Sequence, residues 1–226
     1  YISQYIDIKA NQTFHCNKNK KNLQDYINTG HSPLIEDISS TISKLPKHYE
    51  NYHDDYQYET LLPHKLSADG TRLAMSDIDG NGFMDFYIGG ASGLSGILYL
   101  QNKEGGFSVS ANQPWTKDKD YEDTAALFID IDNDLDQDLY VASGSNEWVY
   151  NSAMYQDRIY LNDGNGKFSS TNGILPNMHF SSSCIVPADY DLDGDMDLFV
   201  GARSIAKQYP LPASSILLEN KNGVFI

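Results

Sequence analysis

Three nine-residue stretches, DIDGNGFMD (77–85), DIDNDLDQD (130–138) and DYDLDGDMD (189–197), carry an oxygen-bearing side chain at their first, third, fifth and ninth positions. In the first these are Asp77, Asp79, Asn81 and Asp85; in the second Asp130, Asp132, Asp134 and Asp138; in the third Asp189, Asp191, Asp193 and Asp197. The seventh position holds Phe83, Asp136 or Asp195. Carboxylates packed this closely repel and bind protons more tightly unless a cation sits among them. A hard divalent ion with oxygen ligands resolves the repulsion. Ca²⁺ takes about six to eight oxygens in flexible geometry, including a backbone carbonyl at the seventh position, so Phe83, Asp136 and Asp195 join the ligand set. Mg²⁺ demands a stricter octahedron and ranks second. The expectation is up to three structural Ca²⁺ ions. A sixth-position glycine permits the sharp turn, and Gly82 and Gly194 supply it; Leu135 predicts a second loop that is strained or differently bent.

These loops must be held by strands. An EF-hand needs a glutamate at the twelfth position and a helix on each side. The twelfth residues here are Ile88, Val141 and Val200, each inside an apolar, β-favouring run, DFYIGG, DLYVASG or DLFVGA. The runs ahead of the loops, RLAMS, AALFI and CIVPA, are equally short and apolar. Each loop therefore joins two strands. A third run and a turn follow: ILYLQNKEGGF (97–107), RIYLNDGNGKF (158–168) and SILLENKNGVF (215–225). The unit is four short antiparallel strands, repeating at 53 and 59 residues (77 to 130, 130 to 189). That period predicts an all-β chain of β-propeller blades rather than a solenoid, whose repeats are shorter.

The aspartate core, the DLYV-type strand after it and the YLNDGNGKF hairpin resemble the FG-GAP/VCBS repeat of integrin α-subunit-like propellers. YETLLPHKLSADG (58–70) resembles the segment that leads into the first blade of large exported bacterial proteins of that family, and QYIDIKANQTF (4–14) weakly resembles the tail of an ASPIC/UnbV domain. The resemblance spans residues 48–226. It implies calcium at the loop positions and a ring of about seven blades, of which three repeats are visible, at about 67–110, 122–170 and 181–226. Residues 1–32 then read as the end of a preceding domain or a linker, and 33–226 as a partial propeller.

Bulk properties exclude other classes. The formal net charge is −15, and the one basic cluster, NKNKK at 17–21, reads as a solvated loop, so no nucleic-acid partner is expected. No apolar run reaches the ~18 residues of a membrane span. Cys16 and Cys184 read as two buried thiols, with one long-range disulfide as the alternative, and Asn11 begins a glycosylation sequon that matters in an exported protein. In YENYHDDYQY (49–58), His53 with Asp54 and Asp55 reads as a polar strand edge, with a metal or acid–base site as the alternative, and His64 as a structural residue on a leading strand.

The connections after each second strand lie at the end opposite the acidic loops. They and the link at 112–123 carry Trp115, Trp148, Tyr150, Tyr155, Arg203 and Tyr209, candidates for holding a protein or carbohydrate, or for packing the blade edges. No GxSxG, HExxH, CxxC or Walker pattern occurs, which favours binding over catalysis. The expected function is a calcium-stabilised extracellular or cell-surface adhesion module, alone or oligomeric; the alternative is a polysaccharide lyase or hydrolase fragment.

Overall fold

Each short apolar run beside an acidic loop forms a strand. The computed structural model describes residues 45–68 and 72–226, together with Asp37, Ser39 and Ile42. Strands β1 (Leu73–Ser76), β2 (Asp85–Ile88), β3 (Ile97–Gln101) and β4 (Phe107–Val109) form one antiparallel sheet in sequence order. β5 (Asp123–Ile129), β6 (Asp138–Ser143), β7 (Arg158–Leu161) and β8 (Ser169–Ser170) form the second in the same order. β9 (Ser181–Ala188), β10 (Asp197–Ser204) and β11 (Ile216–Leu218) form the third. The third sheet stops at three strands because its last turn closes on itself. Glu219 and Ile226 exchange backbone hydrogen bonds, and only the Asn220–Phe225 bridge stands where a fourth strand would run. Short 3-10 turns stand at Asp55–Gln57, Pro114–Lys117 and Ala153–Tyr155.

The first strands of successive sheets lie side by side, β1 by β5 and β5 by β9. Ala74, Tyr87 and Leu98 of the first sheet, with Ile78 of its loop, pack on Phe128, Leu139, Val141 and Tyr160 of the second. Ile129, Tyr140, Ala142 and Ile159 on the other face of the second sheet, with Ile131, pack on Leu198, Val200 and Leu218 of the third. The middle sheet is thus covered on both faces, and all six residues of β6 are buried, which explains its unbroken apolar run.

The chain divides into two compact units, Tyr1–Ile38 and Ser39–Ile226, and the three sheets belong to the second. The readings of residues 1–32, the 4–14 stretch, Asn11, Cys16 and the basic cluster at 17–21 lie outside the described residues. Cys184 corrects the reading of buried thiols: it is a free thiol and exposed, on the outer face of β9. The polar strand edge at 53–55 is also corrected. Asp55 begins a 3-10 turn and is fully buried, because its carboxylate accepts bonds from Ser67 Oγ and the Leu66 and Ser67 amides. His64 lies in a bend rather than a strand, and its Nε2 accepts from Arg203 at 2.5 Å.

Candidate functional site

The three acidic loops share one backbone course. The fourth position is left-handed in each, at Gly80 (φ 68°), Asn133 (φ 63°) and Leu192 (φ 63°). So is the sixth, at Gly82 (φ 85°), Leu135 (φ 74°) and Gly194 (φ 100°). Leu135 therefore does not bend its loop differently; it adopts the glycine conformation at a strain cost, with its side chain turned out to solvent. The fourth-position requirement is one that the spacing of the acids alone does not reveal.

Inside the loops, the side chains first organise the backbone. The first-position carboxylate accepts from the sixth-position amide: Gly82 to Asp77, Leu135 to Asp130, Gly194 to Asp189. The fifth-position oxygen accepts from the seventh-position amide: Phe83 to Asn81, Asp136 to Asp134, Asp195 to Asp193. The ninth-position aspartates, Asp85, Asp138 and Asp197, are buried at the start of β2, β6 and β10. Their Oδ2 atoms accept from the second-position amides of Ile78, Ile131 and Tyr190. Their Oδ1 atoms accept from the amides of Gln101, the last residue of β3, and of Asn162 and Asn220, just beyond β7 and β11. One carboxylate thus pins the loop, the second strand and the third strand of its repeat.

This scaffolding gathers the first, third and ninth carboxylates. Asp77, Asp79 and Asp85; Asp130, Asp132 and Asp138; and Asp189, Asp191 and Asp197 each bring one oxygen to within 4.8 Å of the others. Burial raises the Asp138 carboxyl to about 7 against the pull of the Asn162 and Ile131 amides, and Asp132 and Asp136 push the same way. Burial, then repulsion from Asp134 and Asp132, raises Asp136 to about 6. Asp85, Asp132 and Asp191 are raised as well, desolvation leading in each case. Asp130 Oδ1 and Asp136 Oδ1 are buried and accept no hydrogen bond. Orphaned carboxylate oxygens are costly to keep, and a cation answers them where no N–H does. The donor set is all oxygen, which fits a hard divalent ion. The Asp195 side chain has other partners: it accepts from Asn133 Nδ2 at 2.7 Å and from the Asn222 amide at 2.8 Å.

The aromatic candidates at the opposite end divide. Trp115 is corrected: it is 2% exposed, stands edge-on to Tyr87 and Tyr160, and donates from Nε1 to the Gly96 carbonyl. Tyr155 is corrected too, since its buried hydroxyl closes the loop on Trp148, accepting from the Trp148 amide and donating to its carbonyl. Large aromatics on links and long loops find neighbouring sheets to pack against, and sequence alone does not show which do. Trp148, Tyr150, Tyr209 and Arg203 are exposed. Beside Tyr150, a cavity of about 220 Å³ opens between the loops that follow β6 and β10, lined by His179, Phe180, Ile205 and Ile216 among others.

Groups that the spacing of the acids did not single out hold this end together. Buried Asp123 accepts from Tyr87 Oη, the Gly90 amide and Arg158, joining the first sheet to the second. Asn146 donates from Nδ2 to Glu59 and accepts the Lys207 amide on Oδ1, joining residues 55–59 to the loops after β6 and β10. A polar residue at a strand end is the only sequence trace these leave.

No helix among the described residues is long and apolar enough to cross a membrane. No curated protein matches the chain. Residues 130–200 match the family model of an FG-GAP-like repeat, a span that runs from the first aspartate of the second acidic loop through the whole of the third. Over that span the chain carries an FG-GAP-like repeat, and the first sheet, with its own acidic loop, is built on the same plan.

Proposed function

We propose that the chain is a calcium-stabilised binding module of a β-propeller, exposed outside the cell, that presents a protein- or carbohydrate-recognising surface at the end opposite its metal sites. The observation that carries the calcium reading is the threefold recurrence of a carboxylate triad on one loop course, with buried Asp130 and Asp136 oxygens that accept nothing. Ca²⁺ is favoured over Mg²⁺ because nine-residue loops offering side-chain and backbone oxygens meet its larger, looser coordination. The ion neutralises each loop and ties strands that would otherwise meet at a repulsive turn. Weak sites, about 10⁻⁴–10⁻³ M, suffice outside cells.

The propeller reading rests on how equivalent positions are covered. Ile78 and Ile131, at the second loop position, are 1% and 0% exposed under the following sheet, whereas Tyr190 is 51% exposed. Tyr87 and Tyr140 are buried, but their counterpart Phe199 is exposed; Leu98 and Ile159 are buried, but Leu217 is exposed. The outer face of the third sheet therefore has the composition of an inter-sheet face, as integrin-like and VCBS-type rings of about seven blades require. For recognition, Trp148, Tyr150 and the adjoining cavity provide aromatic surface on a rigid frame.

Thermal unfolding at low ionic strength, with calcium at about 10 mM, roughly tenfold above the weakest of those affinities, and then with chelator, tests the reading. The expected result is a higher melting temperature with calcium and a smaller rise with magnesium. Superimposable curves in calcium and chelator overturn it.

A further inference from the structure

Each of the first two acidic loops is walled by the turn of the repeat that follows it. Asn162 Nδ2 donates to the Ile78 carbonyl at 2.9 Å, and Asn220 Nδ2 donates to the Ile131 carbonyl at 2.9 Å. Both acceptors are the second-position carbonyls, lying between the first and third aspartates. The turn glycines close the same wall. A Cβ on Gly223 would stand 3.2 Å from the Asp132 Cβ, and one on Gly166 would stand 3.8 Å from the Asp79 Cβ. The two contacts recur together at both repeat boundaries.

We infer that the first and second cation sites are composite: Asn162 and Asn220 are positioning residues that set calcium affinity in the loop of the preceding repeat. This rests on the reading of the loops as cation sites. The second-position peptide is gripped from both sides. Its N–H is held by the ninth-position aspartate of its own repeat, and its carbonyl by the asparagine of the next. With both ends fixed, Asp77 and Asp79, or Asp130 and Asp132, are kept converging on one point instead of splaying under mutual repulsion. Partners that orient metal ligands in this way are typically worth about 10–100-fold in affinity. The third loop differs: none of the hydrogen bonds among the described residues reaches the Tyr190 carbonyl, and Tyr190 is exposed. Asn162 also separates its two roles cleanly. Its backbone N–H serves Asp138 in its own repeat, so truncating the side chain removes only the bond to the first loop and the turn contacts of its Oδ1.

The test is a calcium titration of the full chain, followed residue by residue through the amide resonances of Gly82, Leu135 and Gly194. N162A weakens calcium binding at the first loop by roughly tenfold and leaves the second and third within about twofold; N220A weakens the second loop by the same factor and leaves the first within about twofold, the first being its control because Asn220 Nδ2 also donates to the Met196 carbonyl of the third loop at 3.3 Å. Equal weakening of all three loops, weakening confined to the variant's own repeat, or unchanged binding at the preceding loop overturns the inference. A wild-type titration that shifts no loop resonance overturns the cation reading itself, and the inference with it. Should N162A fail to fold, amide exchange gives the reciprocal measurement, because coupling between two sites is mutual. Calcium slows exchange of the Gly166 amide, which Asn162 Oδ1 accepts, and D77A removes the part of that slowing that comes from the first loop, leaving what the second loop transmits through Asp138. Slowing that persists undiminished in D77A overturns the inference.

Discussion

Leu135 and Gly194 occupy the same place in consecutive acidic loops and share a left-handed backbone, φ 74° and φ 100°. Glycine reaches this region without penalty, while a side chain bearing a Cβ pays about 1–2 kcal/mol. Leu135 is almost fully exposed, so no packing offsets the strain. L135G is expected to stabilise the protein by about 1 kcal/mol once the greater freedom of glycine in the unfolded chain is subtracted. Urea unfolding checks it, and the gain should appear with and without calcium.

Ligation and scaffolding should separate by position within a loop. Asp138 accepts the Ile131 and Asn162 amides at a buried site. D138A strands both donors and is expected to cost about 2–4 kcal/mol even in chelator. Asp134 is exposed and accepts only the Asp136 amide among the described residues. D134A should cost under about 1 kcal/mol in chelator yet reduce the calcium-dependent rise in melting temperature. Parallel melts of the two variants, with and without calcium, distinguish the roles.

Glu122 ties stability to pH. It is buried, its Oε2 accepts the Ser92 amide, and desolvation raises its carboxyl from the ordinary 4.5 to about 8, with Glu50, Glu147 and Asp123 adding repulsion. Between those values the folded state holds a proton that the unfolded chain has released. The contribution is therefore complete below about pH 4.5 and is lost as pH rises through 8. E122Q keeps the acceptor and removes the titration. It should raise stability at pH 8 by a few kcal/mol at most, change little near pH 4.5, and flatten the pH profile. Asp157, raised to about 7 chiefly by burial, leaves a residual slope of the same sign.

The two tryptophans should respond in opposite ways. Trp115 fills the seam between the first and second sheets against Tyr87, Tyr160 and Phe168, so W115A is expected to cost about 3–5 kcal/mol. Trp148 lies on the exposed loop after β6, and W148A should change stability by no more than about 1 kcal/mol. In the folded protein, iodide should quench the Trp148 emission and spare that of Trp115.

The acidic loops were legible because their information is local. Nine residues contain the whole alternation of oxygens, and the apolar runs on either side leave only strands to flank them. The same locality made the four-strand repeat readable from turn spacing. What the residues meet after the sheets stack is not local. Asn162 reaches Ile78 across 84 residues of sequence, and Asn220 reaches Ile131 across 89. Nothing in a turn asparagine announces such a partner. Trp115 and Trp148 look alike as aromatics in connecting segments, yet one is sealed between two sheets and the other faces solvent. Composition determined which stretches bend and gather charge; the stacking of sheets decided burial and partnership, because both depend on which surfaces distant segments bring together.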